Sequence, residues 1–312
     1  MEKTLQRIAN LLILNLQNIG SIGLLNGKMG LAVYLYHYAR HVSQPAYSDQ
    51  ADDLLDELFA ALSGYLPPAL TEGVAGVGLG LSHLIRNYFI ETDESEDELF
   101  RDSDGRLLQN LNNQLLTDLH SNFPVFSLGF YLPSRVTTGK RTPQKDKLIS
   151  QSLTGIHTTY INEKQAINPV FTNSVIHFLN GIYNQGMYKE KTRKTMKTVL
   201  TFIINYASTT NYYPIDTDIL RYLLSSVEVN IELANRILAQ INQFNIIPDN
   251  NTNMDIVGQS LQQYLLYPNL DIPNSFLQFT EKYVEDCIAE SSQSGLSLLP
   301  YIGLNMMGVK LC

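Results

Sequence analysis

The chain has 312 residues, 44% hydrophobic and 17% charged, which gives it enough apolar surface to bury a large core and too much for disorder. Its formal charge is −8, and its richest basic stretch, Lys189 to Lys197, is one helical segment with an acidic residue inside it, so no nucleic-acid-binding stripe is expected. Two cysteines, Cys287 and Cys312, are too few for a disulfide framework. The apolar stretch Leu11 to Leu16 is too short for a signal core, and no long apolar run occurs, so a cytoplasmic protein outside any membrane is expected.

Taken in chain order, the first strong signal is a repeat. Gly23-Leu-Leu-Asn-Gly-Lys-Met-Gly-Leu-Ala-Val33 and Ala69-Leu-Thr-Glu-Gly-Val-Ala-Gly-Val-Gly-Leu79 share a pair of glycines, Gly27/Gly30 and Gly73/Gly76, 46 residues apart. Each pair opens a segment that is apolar nearly all round, such as Leu31-Ala-Val-Tyr-Leu-Tyr36, the pattern of a helix buried on every side. Between them Leu54, Leu55, Leu58 and Leu62 form one stripe of an amphipathic helix, with Asp52, Asp53, Asp56 and Glu57 on its wet side. The acidic run Glu91–Glu98 reads as a solvated loop between helices.

Similar loop-to-helix transitions follow near Gly129, Ser174, Asp218, Gly258 and Gly303. From Gly30 onward the marks are spaced by 46, 53, 44 to 45, 44, 40 and 45 residues. A second amphipathic stripe, Met196, Val199, Leu200, Ile203 and Ile204, follows the charged start at Lys189. A period of this size is the signature of helical hairpins in array. The chain is therefore expected to be all-α, a single domain over 1–312 of about seven helical-hairpin repeats, one inner and one outer helix each. Glycine at such a loop permits positive φ or close backbone approach. Loops of this kind at one end of the inner helices would frame a cleft, or the glycines serve packing alone.

Few residues stand out chemically. Gly27-Lys28 is no P-loop, because residue 22 is Ile and Met29 follows the lysine. Gly76-Val-Gly78-Leu-Gly80 follows Pro-Pro-Ala-Leu-Thr-Glu rather than a strand, which excludes a dinucleotide loop. His37 and His41 have the i, i+4 spacing that could pinch a metal, with no third ligand nearby, so a solvated pair is the expectation. His177 lies on an inner helix, either as a satisfied core residue or as a proton-transfer group. Asp216 and Asp218 sit at a loop mark, where they would cap the following helix or act as a paired acid and base.

The Gly-x-x-Gly units at this spacing, with Ser174-Val-Ile-His-Phe-Leu-Asn-Gly-Ile-Tyr-Asn-Gln-Gly186 and its charged helix, resemble the lanthionine synthetase C-like family, the latter segment a middle repeat of bacterial members. The resemblance implies an α/α toroid, a double ring of seven inner and seven outer helices. Known members are zinc enzymes that add a cysteine thiolate of a ribosomal precursor peptide to a dehydrated serine or threonine. By repeat register their loop histidine falls near Val170, and their zinc ligands near Tyr213 and near Asn253-Met254. None of these is a thiolate or imidazole, and no Cys or His lies between residues 178 and 286.

The resemblance then implies a degenerate member, a pseudoenzyme without zinc or other cofactor. Such a protein would bind a precursor peptide or a peptide-modifying enzyme in a lanthipeptide-type pathway. Tyr213, Asp216, Asp218, Asn253, Asp255 and His177 are its expected cleft residues. The charge of −8 favours a basic peptide. Two alternatives stand beside it: a zinc-independent cyclase or other enzyme using Tyr213, Asp216 or Asp218 as acid and base, and a plain helical-repeat scaffold.

Overall fold

A computed structural model describes residues 1–25, 27–62, 66–67, 69–93, 95–114, 128–138, 141–162, 169–206, 217–227, 265–266, 282–285, 296 and 298–311. The helices are α1 (Glu2–Leu14), α2 (Lys28–Val42), α3 (Ala46–Ala61), α4 (Val74–Arg86), α5 (Glu96–Leu99) and α6 (Arg101–Gln114). They continue with α7 (Leu128–Thr138), α8 (Pro143–Asn162), α9 (Pro169–Asn184), α10 (Lys189–Tyr206), α11 (Thr217–Ser226) and α12 (Leu299–Met306). Among the described residues no strand occurs and no helix is long and apolar enough to cross a membrane. The chain divides into two compact units, Met1–Ser95 with Ile247–Cys312 and Glu96–Ile246.

In the first unit the glycine repeat is a repeat of backbone geometry. The first N–H groups of a helix lack partners inside it, and here no side chain caps α2 or α4. The loop folds back instead: Lys28 N–H donates to the Ser21 carbonyl at 2.9 Å and Val74 N–H to the Pro67 carbonyl at 3.0 Å, each seven residues upstream. Such a wrapped loop leaves no room for a side chain. A Cβ on Gly30 would overlap the Leu24 carbonyl oxygen, and one on Gly76 would overlap that of Leu70, the equivalent atom one repeat on. Gly27 and Gly73 are extended (φ −147° and −139°), so close approach is what this pair provides, not positive φ. The two loops are joined directly, Leu24 N–H donating to the Leu70 carbonyl at 3.2 Å.

Ten of the fifteen residues of α2 and eleven of the thirteen of α4 are buried, as helices apolar all round must be. Around α2 pack α1, α3, α4 and α12. Tyr34 donates to the Leu5 carbonyl of the α1 segment at 2.8 Å, and Gly303 of α12 lies so close to the Tyr34 ring that any Cβ would overlap it. The last repeat mark thus sits beside the first. Leu54, Leu55 and Leu58 of α3 are buried, and Leu62, just past its end, is half-buried.

The second unit stacks two layers. Helices α7, α9 and α11 are neighbours in one, α6, α8 and α10 in the other, and α9 with α10, like α7 with α8, bridges the layers. Phe130 meets His177 and Pro133 meets Gly181, separations of 47 and 48 residues, so α7 and α9 run parallel. A Cβ on Gly181 would come within 2.7 Å of the Pro133 ring, which is why glycine faces the proline inside α7. On α10 Met196, Val199, Leu200 and Ile203 are buried, as the stripe predicts.

Two expectations need adjusting. Ser174 lies inside α9, because Pro169 already opens that helix at the position where a missing N–H costs nothing. Glu96 to Glu98 belong to the short helix α5 rather than to a loop, where acidic residues suit a helix N-terminus.

Candidate functional site

Because α2 and α4 open on identical loops, equivalent residues along them come side by side. His37 and His83 each stand seven residues after the second glycine of their repeat, and their Nε2 atoms meet at 2.9 Å across a separation of 46 residues. One ring donates at that contact and the other accepts. Burial holds both well below the usual histidine value. His37 lies at about 3, for burial first, then for the neighbouring His83 and Arg40. His83 lies at about 4, for burial first and then Arg86, with a backbone hydrogen bond to Leu311 acting weakly the other way. Both rings are therefore neutral at pH 7.

A polar collar surrounds the pair at the C-terminal ends of the two helices. The edge of Phe89 meets the His37 ring at 4.6 Å between centroids, and the Arg40 guanidinium lies 3.5 Å over the Phe89 ring. Arg40 also donates to the carbonyls of Asn87 and Tyr88, at 2.8 and 3.2 Å, just where α4 presents its negative end. Tyr36 donates to Asp52 of α3, and burial with that carboxylate raises its hydroxyl above the ordinary range. Two guanidinium groups beside neutral imidazoles disfavour a divalent cation. Among the described residues no group of three or more His, Cys, Asp or Glu converges.

The second unit buries a charge instead. Arg135 of α7 is 1% exposed, pairs with Asp104 of α6 at 3.2 Å, and places its guanidinium 4.5 Å from the Phe100 ring centre. Tyr131 donates to the same carboxylate at 2.7 Å, and burial raises its hydroxyl well above the usual value. This cluster clamps α6 to α7.

Of the residues expected to line a cleft, His177 is half-buried on α9, its ring 5.5 Å from that of Phe130. Asp218 is the second residue of α11, in the turn where a carboxylate meets the positive end of the helix. Its side chain, and Tyr213, Asp216, Asn253 and Asp255, lie outside the described residues, as do Cys287 and Cys312. The expected solvated His37/His41 pair holds for His41, which is exposed, and is corrected for His37, which is half-buried against His83 because parallel stacking of α2 and α4 brings those two rings together. The 46-residue period, applied to histidines as well as glycines, carries the signal for that pair.

Comparison with protein-family models, curated proteins and solved structures finds no match to this chain.

Proposed function

We propose that the chain is a degenerate lanthionine synthetase C-like repeat protein that binds a ribosomal precursor peptide, or the enzyme that modifies it, without zinc chemistry of its own. The observation that carries this reading is the glycine loop whose backward wrap, Lys28 to Ser21 and Val74 to Pro67, recurs at the entries of α2 and α4. A toroid needs such loops, and it needs its last hairpin beside its first. Within the first unit, the contact of α12 with α2 is in keeping with the second requirement.

The donor set argues for binding over catalysis. Zinc makes a thiol nucleophilic at neutral pH by stabilising its thiolate. The residues in register with the family's zinc positions, Tyr213 and Asn253-Met254, and Val170 at the second position of α9, offer neither thiolate nor imidazole. They do not fit the metal, and no step is assigned to it. Peptide binding is assigned to Tyr213, Asp216, Asp218, Asn253, Asp255 and His177.

A precursor-type peptide carrying one dehydroalanine and one cysteine tests this against the full-length protein. Saturable binding is expected, with the free thiol unchanged over hours. Thioether formation would overturn the pseudoenzyme reading. Binding that survives Asp216→Ala/Asp218→Ala/Asn253→Ala would remove those residues from the site.

A further inference from the structure

Four exposed cations lie on α10 between Lys189 and Lys197, and the packing of α8 against α10 brings Lys147 level with them. The two helices run parallel, with partners 41 or 42 residues apart. Tyr188 donates to the Asp146 carbonyl at 3.1 Å, Lys191 to the Ser150 carbonyl at 2.7 Å, and Thr198 shares a 3.0 Å hydrogen bond with His157. In that register Lys147 of α8 falls level with Lys189 of α10. Along α10, Lys189, Arg193 and Lys197 recur at i, i+4 and i+8, with Lys194 beside them, and all five of these cations are exposed. None forms an ion pair among the described residues, and Asp146 is taken by Arg141 at 2.6 Å. Glu190 is the one carboxylate among the residues of α10.

This arrangement is locally unfavourable in two ways. Like charges at i, i+4 repel, where a helix face built only for solvation alternates sign. The cations also crowd the N-terminal half of α10, at the positive end of its dipole, where acidic residues are the stabilising choice. The cost falls on a chain whose overall charge is −8, so the face stands opposite in sign to the protein as a whole. An anionic partner would relieve both terms at once.

We propose that the α8–α10 face docks an acidic polypeptide segment, independently of the peptide-modification reading. Successive cations on α10 rise about 6 Å per four residues, close to the roughly 6.7 Å between alternate side chains of an extended strand. Carboxylates on every second residue of such a segment therefore meet Lys189, Arg193 and Lys197 in turn. Exposed threonines at 158 and 201 offer hydroxyl donors on the same two helices. Among the described side chains of α8 and α10 no aromatic is exposed to stack a base, which sets the face apart from single-stranded nucleic-acid platforms.

Fluorescence anisotropy of the full-length protein with a labelled twelve-residue oligoglutamate tests the face directly. Saturable binding that weakens steeply with salt is expected. It should fall at least tenfold in Lys189→Gln/Arg193→Gln/Lys197→Gln, whose circular dichroism and melting temperature stay those of the parent. If the parent fails to bind oligoglutamate at low salt, or the variant binds equally well, the proposal is overturned. Tighter binding of an oligothymidylate of equal length, or of phosphatidylserine vesicles, would overturn the acidic-polypeptide occupant. So would a dimer of the parent that the variant dissolves in the absence of oligoglutamate binding.

Discussion

The two units bury polar side chains by opposite means. In the first, His37 and His83 shed their charge and share one hydrogen bond. In the second, Arg135 keeps its charge and brings Asp104 with it. A neutral pair avoids most of the desolvation cost and is vulnerable to acid. A buried ion pair carries that cost in full and is vulnerable to the loss of one partner. Four experiments sharpen the contrast, from the largest expected effect to the smallest.

Arg135→Met leaves Asp104 held by Tyr131 alone, and removing one partner of a buried pair costs about 3–5 kcal/mol. The urea midpoint should fall accordingly, and adding Asp104→Asn should recover most of the loss. A single-variant cost below about 1 kcal/mol, the range of exposed pairs, would contradict the clamp.

The histidine pair should show itself in the pH dependence of stability. In the unfolded chain the rings take up protons near 6.5, whereas the folded pair resists until about 4 and about 3. Its contribution is thus fully present above pH 6.5 and is lost as the pH falls toward 4. Arg40 and Arg86 sharpen the loss, and the Leu311 backbone softens it. For His83 alone the shift from 6.5 to about 4 corresponds to something on the order of 3 kcal/mol. Urea midpoints measured at pH 7, 5.5 and 4.5 should therefore drop less in His83→Gln than in the parent. Parallel curves would dismiss the pair as an acid-sensitive element.

Gly76→Ala tests the loop rather than the pair. Its Cβ would overlap backbone, the Leu70 carbonyl and the Leu24 amide, so a loss of about 1–3 kcal/mol is expected, as for overpacking. Melting unchanged from the parent would show that the loop is free to open.

The smallest effect is a gain. Four helices end alike: the N–H of Gln44, Phe89, Met187 and Val309 each reaches five residues back, past a left-handed residue at Ser43, Tyr88, Gly186 and Gly308. Two of these ends have the glycine that the conformation favours. Tyr88, at φ 55° and 89% exposed, does not. Tyr88→Gly should raise stability by about 1 kcal/mol, the cost of a left-handed Cβ, read as a higher thermal midpoint.

How far each feature was legible follows from how local its cause is. The glycine pairs are legible as helix openings because the loop they form closes within seven residues, so its demand for close backbone approach is written in adjacent positions. The apolar faces of α2 and α4 and the stripes of α3 and α10 were legible for the same reason. The helix ends were not, since Ser43 and Tyr88 take the left-handed turn without the glycine that would announce it. The start of α9 was misplaced because its Pro169 opening lacks the glycine loop of the earlier repeats.

The sequence by itself determined the helical character of the described residues, the 46-residue spacing of the first two glycine loops and the burial of the apolar helices behind them. These follow from side-chain spacing and from the room a glycine leaves. Only the tertiary structure decided which distant side chains meet: His37 with His83, Arg135 with Asp104, and Lys191 of α10 with Ser150 of α8. The first and last of these meetings depend on parallel helices offset by 46 and 41 residues, and such an offset is set by the packing of whole helices rather than by any neighbour in the chain.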